Sequence, residues 1–193
     1  VEQNLMGENV GCQDQVAAAF GGFNKIEFGF DDKIRVTPIL VTRKKLRLLQ
    51  DHLMLFFTGF SRTASDIVAE QLKNTPNKRN ELYTIRAMVD EALRILNRDD
   101  DNLSEFGKLL HEGWMIKQTL SSKITNSFID TVYADARKAG AAGGKILGAG
   151  GGGFLLIFAE PEAQPRVKEE LKRLLYVPFQ FENLGSHIDY KTR

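Results

Sequence analysis

The sequence contains one cysteine, Cys12, and 26 basic residues nearly balance 25 acidic ones, for a formal net charge of +1. A single cysteine excludes an internal disulfide and favours a reducing compartment, so we expect a cytoplasmic protein. The balanced charge gives no electrostatic argument for binding nucleic acid or a membrane surface. No apolar run approaches the ~20 residues that span a bilayer, and no signal-peptide pattern opens the chain. The content of hydrophobic residues, 42%, and of charged residues, 26%, is ordinary for a globular protein.

Glycine, in contrast, is concentrated in one place. Five of the six residues in Gly148–Gly153 are glycine, the exception being Ala149, and the apolar run Phe154–Phe158 follows with the pattern of a buried strand. Glycine loses much backbone entropy on folding, so such a cluster needs a reason. One reason is a backbone that passes close to a ligand and exposes its N–H groups. The alternative is a flexible hairpin connection.

The first forty residues are expected to form a short helix and a β-hairpin. The alanine-rich run Val16–Phe20 favours a helix, which the glycine pair after it would end. Asp14 would then lie in the first helical turn, where the helix dipole favours a carboxylate. The runs Lys25–Phe28 and Lys33–Ile39 predict two strands joined by a turn at the aspartate pair between them.

The rest of the chain predicts an α+β fold. From residue 53 the expected order is strand, helices, strand, strand, helix, strand, which is the split βαβ, ferredoxin-like order with helices inserted in the first crossover. Leu53–Phe57, Phe154–Phe158 and Phe179–Phe181 should lie in one antiparallel sheet, and Glu162–Leu175 should form the helix before the last strand. We place a domain boundary near residue 43, which gives a segment 1–43 and a domain 44–193.

Asp14 is the first candidate for catalysis. Gln13 and Gln15 flank it, and a helix follows it. A carboxylate held at a helix start suits orienting a hydroxyl better than storing a proton. The alternative is an aspartate that only caps the helix.

Five segments share a pattern with known kinases; they are 11–22 (Gly-x-Gln-Asp-Gln-x-Ala-Ala-Ala-Phe-Gly-Gly), 58–62 (Thr-Gly-x-Ser-Arg), Leu110–Trp114, Leu120–Ser122 and Gly148–Phe154. Together they resemble the C-terminal portion of the GHMP small-molecule kinases, the family of galactokinase and of homoserine, mevalonate and phosphomevalonate kinases. Within the family, the pattern is similar to the sugar kinases that act on D-glycero-D-manno-heptose 7-phosphate, with fucokinase as a near cousin.

The resemblance implies ATP-dependent phosphoryl transfer to a sugar or sugar-phosphate hydroxyl in carbohydrate metabolism, with heptose 7-phosphate and its anomeric hydroxyl as the expected acceptor. It assigns the catalytic role to Asp14 and implies a ferredoxin-like domain preceded by the tail of a ribosomal S5 domain 2-like N-terminal domain. The expected substrate- and phosphate-binding residues are Gly148, Gly150, Gly151, Gly152, Gly153, Arg62 and Gln13.

Arg62 has an alternative role, and three further residues qualify the resemblance. A guanidinium such as that of Arg62 matches phosphate oxygens with paired hydrogen bonds, although an ordinary ion pair at a helix start explains it equally well. Lys117 and His111 are weaker candidates that more often mark a helix edge. Cys12 stands where the family pattern has a lysine, and this departure argues against the phosphate or substrate contact that the pattern implies there.

One family segment has no counterpart in these 193 residues: the phosphate-binding Pro-x-x-x-Gly-Leu-Gly-Ser-Ser sequence. It would supply the N–H cradle for ATP and help to hold Mg²⁺. We therefore expect the phosphate-binding loop and most Mg²⁺ ligands to come from a missing N-terminal half or another chain, possible partners being that half or a second copy. Alone, the chain should be inactive.

Two other functions compete with the kinase hypothesis. The chain could be a non-catalytic, ferredoxin-like binding or regulatory module derived from such a kinase, which the absent loop favours. A Rossmann-type dinucleotide binder would also use glycines, but here the glycine loop joins two strands, whereas the dinucleotide fingerprint opens a helix.

Overall fold

The computed structural model describes residues 11–29, 33–59 and 64–187. Within them the helices are α1 (Gln13–Phe20), α2 (Arg43–Asp51), α3 (Ala64–Asn74), α4 (Arg79–Leu96), α5 (Ser104–Gln118), α6 (Ser127–Lys138) and α7 (Gln164–Glu170), and a 3₁₀ turn (Thr75–Asn77) follows α3. The strands are β1 (Asn24–Phe28), β2 (Ile34–Pro38), β3 (Leu53–Phe57), β4 (Gly143–Ile146), β5 (Phe154–Phe158) and β6 (Leu175–Tyr176). No helix of this described part combines the length and apolar character needed to cross a bilayer.

The main sheet has four strands in the order β4-β5-β3-β6, and its strand pairs are antiparallel. If β3, β4, β5 and β6 are numbered 1 to 4 in chain order, they lie in the sheet in the order 2-3-1-4. Helices α3 to α6 lie in the first crossover, between β3 and β4, and α7 lies in the second, between β5 and β6. That is the split βαβ arrangement, so the predicted α+β, ferredoxin-like fold is confirmed. β1 and β2 form a separate antiparallel hairpin with Asn24 opposite Pro38.

The predicted last strand is wrong. The sheet is completed by Leu175 and Tyr176, which pair with β3, and α7 ends at Glu170, short of the predicted end. Phe179 and Phe181 alternate as strand residues do, but they serve another purpose: the Phe181 ring stacks on Phe23 at 6.4 Å between centroids. Its backbone N–H donates to a side chain of α2 and not to a strand. Apolar alternation alone could not distinguish these two uses.

The core is built on the alternation of β3 and β5. Met54 and Phe56 on β3 are buried, as are Leu155 and Ile157 opposite them on β5. These side chains pack with α6 and α7, whose contribution to the same cluster comes from Ile129, Val132, Tyr133, Ala136 and Val167. A second cluster centres on Phe158 and joins α2 to α4 and the start of α5. Phe154, predicted to be buried, lies at the strand end and is 40% exposed.

Helix α5 lies unusually close to β4 because two glycines face each other there. A Cβ added at Gly143 would lie 2.0 Å from the carbonyl oxygen of Gly107, and one added at Gly107 would lie 2.6 Å from the Phe158 ring. Any larger side chain at either position would push the helix away from the sheet. The close approach brings the C-terminal half of α5 beside the loop that leaves β4.

Residues 11–29 are tied to the end of the described chain. Gly22 donates its N–H to the carbonyl of Glu182 at 3.2 Å, and Ser186 donates to Ala18 at 3.1 Å. At Gly21, with φ +61°, an added Cβ would lie 2.2 Å from the Gly185 nitrogen. Glycine is therefore required where the predicted helix α1 ends. The proposed division at residue 43 remains a prediction.

Candidate functional site

The glycine loop connects β4 to β5, as predicted, and hydrogen bonds hold the end of the loop that precedes β5. Both the backbone N–H and the hydroxyl of Thr58 donate to the carbonyl of Gly153, each at 2.9 Å. At the other end, Leu147 donates its N–H to the carbonyl of Phe154 at 2.9 Å. The loop is therefore anchored to β3 and closed at its base.

The middle of the loop packs against the segment between α5 and α6. Gly151 donates its N–H to the carbonyl of Ile124 at 2.7 Å, and a Cβ added at Gly150, where φ is +119°, would lie 2.8 Å from that same oxygen. These two glycines are explained by close backbone packing. The Gly151 amide is used within the fold and does not point to a ligand in this arrangement.

Other parts of the loop backbone remain open. An added Cβ at Gly148 or Gly153 would meet nothing within 4 Å, although φ at these residues is +68° and +87°. Within the described residues, the N–H groups of Gly148, Gly150, Gly152 and Gly153 have no hydrogen-bond partner. The predicted role of the loop as a source of N–H donors therefore rests on these four amides.

Lys117, in the last turn of α5, lies against the loop. Its Nζ donates to the carbonyl of Gly148 at 2.5 Å. The pKa of Lys117 is lowered to about 8, chiefly by burial and also by the positive charge of Lys145, while Asp14 opposes the shift. The pKa of Lys145, on β4, is likewise lowered by burial and supported by Asp14. Lys117, Lys145 and Asp14 therefore form one electrostatic cluster beside the glycine loop.

Asp14 is the exposed member of this cluster. It lies in the first turn of α1, as predicted, and the side chain of Cys12 at the helix start makes no capping hydrogen bond. Among the described residues, neither Lys117 nor Lys145 has a carboxylate within the 4.0 Å of an ion pair. The cluster thus combines one accessible carboxylate with two half-buried cations.

An apolar cavity of about 370 Å³ adjoins the two lysines. It lies between α4 and α5, and its walls include Ile85, Met88, Val89, Leu110 and Trp114, with Lys117 and Lys145 on the same lining. The apolar face of α4 is only partly covered, since Val89 remains 44% exposed while Leu96 is buried. The indole N–H of Trp114 is buried and has no hydrogen-bond partner in the described part of the chain.

Two of the weaker sequence signals have structural roles. The Nδ1 of His111 is 2.8 Å from the hydroxyl of Tyr133, and burial lowers the pKa of this histidine, so we take the hydroxyl as the donor. Ser121 and Ser122 both donate to one carboxylate oxygen of Glu70, at 2.8 and 3.0 Å between oxygens. The Leu120–Ser122 segment is therefore held to α3.

The structure describes one of the two remaining predicted site residues and adds a residue that was not predicted. Gln13 is exposed at the start of α1, beside Asp14 in sequence. Arg62 lies outside the described residues. The sequence analysis did not predict Lys145 as a site residue. The one signal that could have indicated it is that Lys145 is the lone charged residue in the run 139–158. No three Asp, Glu, His or Cys side chains gather as metal ligands in the described ranges.

Comparison with known families and proteins gives concordant results. Residues 88–177 match the family model described as GHMP kinases C terminal. The D-glycero-alpha-D-manno-heptose 7-phosphate kinase of Campylobacter jejuni is 30% identical over 176 residues, covering 90% of this chain and 51% of that protein. The bifunctional fucokinase/GDP-fucose pyrophosphorylase of Arabidopsis thaliana is 29% identical over 181 residues, which are 90% of this chain and 17% of the relative.

Solved structures agree on the fold. A D-glycero-D-manno-heptose 1-phosphate kinase from Bacteroides thetaiotaomicron aligns with a TM-score of 0.62 at 30% identity, covering 95% of this chain and 50% of that one. The Leishmania major mevalonate kinase aligns with a TM-score of 0.65 at 19% identity, over 83% of this chain and 47% of that one, which supports the fold alone. The chain thus spans about half the length of the heptose kinases it matches.

Proposed function

We propose that this chain, whose residues 88–177 match the family model described as GHMP kinases C terminal, takes part in ATP-dependent phosphoryl transfer to a hydroxyl of a sugar or sugar phosphate. The observation that carries this proposal is the accessible carboxylate of Asp14 in one electrostatic cluster with Lys117 and Lys145, beside the glycine loop. A chain that only bound a partner would not need these groups together.

The proposed chemistry needs few protein groups. Phosphoryl transfer depends mostly on positioning and on stabilising the charge of the transferred group. In this proposal, Asp14 accepts a hydrogen bond from the attacking hydroxyl and orients it or takes its proton. The open amides of Gly148 and Gly153 and the two lysine ammonium groups supply positive potential for phosphate oxygens.

We propose a heptose 7-phosphate as the acceptor and its anomeric hydroxyl as the attacking group. Support comes from the Campylobacter relative, whose name gives this substrate, and from the sequence pattern around Asp14. Gln13 and Arg62 are proposed as further contacts to the sugar phosphate. The proposed location is the cytoplasm.

The nucleotide side of the site requires residues beyond this sequence. The phosphate-binding segment of the family, which would also help to hold Mg²⁺, has no counterpart among the 193 residues. We propose that an N-terminal half or a second copy supplies the loop and the metal ligands, and that residues 1–43 are the end of the N-terminal domain.

The proposal is tested with the chain alone and with a chimera that supplies the phosphate-binding loop. The chain alone should show no measurable kinase turnover and no micromolar ATP affinity by calorimetry. Joined to the N-terminal half of the Campylobacter jejuni kinase, it should transfer phosphate from ATP to a heptose 7-phosphate. Micromolar ATP binding by the chain alone would refute the proposal that the phosphate-binding loop comes from outside this sequence. A folded chimera that binds ATP but transfers nothing would refute the proposed function and favour the alternative, a regulatory module, which the absent loop supports.

A further inference from the structure

The half-buried charges of Lys117 and Lys145 lower the stability of the folded chain when no ligand is bound. Burying an ammonium group is unfavourable unless an opposite charge compensates for it. Both lysines are half-buried, and neither has a carboxylate within 4.0 Å among the described residues. In the part of the chain that the structure describes, the acidic neighbour that influences both lysines is Asp14, which is exposed to solvent. One carboxylate for two cations leaves an excess of positive charge at the edge of the cavity.

We propose that Lys117 and Lys145 jointly bind a phosphate group of a ligand beside Asp14; this assignment rests on the proposed function and extends it. A lysine ammonium carries three N–H donors and acts as a compact charge toward phosphate. One donor of Lys117 is used by the carbonyl of Gly148, which fixes the ammonium and leaves two donors for a ligand. The free amide of Gly148 is part of the same loop.

The cavity beside the two lysines increases the effect of their charge. Its apolar walls, formed by side chains such as Ile85, Met88 and Trp114, keep the surroundings of the two ammonium groups poor in water on that side. Attraction between charges is larger in such a medium than in bulk water. The close packing of α5 on β4 at Gly107 and Gly143 holds the two lysines on fixed elements. A rigid pair of cations is suited to a dianionic group.

Two sources could supply this phosphate: the existing phosphate of the acceptor sugar, or the phosphate chain of ATP. Both have the same chemistry toward lysine. They can be separated by titrating the chain with inorganic phosphate, with a seven-carbon sugar 7-phosphate, with the corresponding dephosphorylated sugar and with ATP, at constant ionic strength.

The experiment compares the wild-type chain with Lys117→Met and Lys145→Met, following backbone amide resonances of the glycine loop by NMR, which detects millimolar affinities. Methionine keeps most of the aliphatic length and removes the charge. The matched control is Lys172→Met, because Lys172 is exposed and paired with Glu169 at 2.6 Å. Removing one charge-assisted contact should weaken phosphate binding roughly 10- to 100-fold in each site variant. The control should bind as the wild type does.

A stability measurement separates this assignment from a structural role. If the lysines serve a ligand, their replacement by methionine removes an uncompensated charge, so Lys145→Met should melt at the same or a higher temperature without phosphate. If they serve the fold, both variants should melt lower. Phosphate should raise the melting temperature of the wild type but not of either site variant.

The outcomes distinguish the two proposals. Binding of the sugar phosphate, but not of ATP, that is lost in both variants assigns the pair to the acceptor; the reverse assigns it to the nucleotide. Unchanged phosphate binding in both folded variants, or no binding of any phosphate by the wild type, overturns the lysine assignment. The proposed function is judged separately, by turnover of the chimera, and survives if that transfer is observed.

Discussion

Gly151 and Ile124 are joined by a backbone hydrogen bond of 2.7 Å, which fixes the centre of the glycine loop to the segment before α6. Two glycines of the loop are thereby explained by packing, because Gly150 also has no room for a side chain against Ile124. Gly148 and Gly153 lie outside this contact and face open space. The loop therefore has a structural centre and accessible ends, and substitutions should separate the two.

Gly150→Ala should destabilise the chain strongly, whereas Gly148→Ala should cost much less. At Gly150 a Cβ would lie 2.8 Å from a backbone oxygen at φ +119°, so strain and overpacking add, to roughly 3 kcal/mol or more. At Gly148, with φ +68° and no close neighbour, only the left-handed conformation opposes alanine, at about 1–2 kcal/mol. Urea unfolding of both variants checks the difference. Equal destabilisation would contradict this division of the loop.

The free energy of unfolding should increase between pH 8 and about 9.5 because of Lys117. Its pKa is lowered from 10.5 to about 8 by burial, by the charge of Lys145 and against the effect of Asp14. In this window the folded chain has lost a proton that the unfolded chain still binds, and stability rises with pH wherever the unfolded state binds more protons. The lowered pKa of Lys145 acts in the same direction. Tyr133 titrates above the window, at about 12.

Urea unfolding at pH values of about 7.5, 8.5 and 9.5 measures this effect. Lys117→Met should flatten the rise, and Lys172→Met, which removes an exposed charge, should leave it in place. A wild-type chain whose stability is constant or falls across this range would show that Lys117 stays protonated in the folded state.

Glu70→Gln should remove stability at neutral pH and much less in acid. The pKa of Glu70 is lowered, first by the hydrogen bond from the Ser121 hydroxyl and also by those from Ser122. A lowered pKa means that the stabilising contribution is complete above the ordinary value of 4.5 and is lost as the pH falls through the folded value. Melting temperatures at about pH 7 and pH 3.5 test this. Glu169→Gln, at an exposed ion pair, is the control, and equal shifts in the two variants would contradict the prediction.

The sequence predicted the sheet well because β3 and β5 are apolar runs bounded by glycine or proline, and buried central strands have that pattern. It misplaced the last strand because Phe181 packs on Phe23 and Phe179 packs on Phe181, an arrangement that tertiary contacts decide.

The candidate site shows the same limit. Asp14 and the glycine loop could be predicted because each stands in a distinctive local pattern. Lys145 could not, since its significance arises only when α5 approaches β4 closely enough to bring Lys117 beside it. Single residues of ordinary type acquire a role through this packing, which no local pattern records.

The last prediction concerns Asp14 in the chimera that carries a phosphate-binding loop. If the carboxylate orients or deprotonates the sugar hydroxyl, it contributes to the transition state more than to substrate binding. Asp14→Asn preserves the shape and removes the charge. It should lower kcat by roughly 10²–10⁴-fold, the range typical of a positioned acid–base group, and change the substrate KM much less.

A helix-capping aspartate predicts a different result for the same substitution. Asparagine is itself a good cap, so both stability and turnover would hardly change. The structure makes the comparison sharp because Asp14 lies in the exposed first turn of α1, where the substitution leaves the core intact. Its charge also supports protonation of Lys117 and Lys145, so Asp14→Asn should lower the pKa of both lysines further. Steady-state kinetics, with thermal melting as the folding control, decides the matter: near-normal kcat in a folded variant would leave Asp14 with a structural role only.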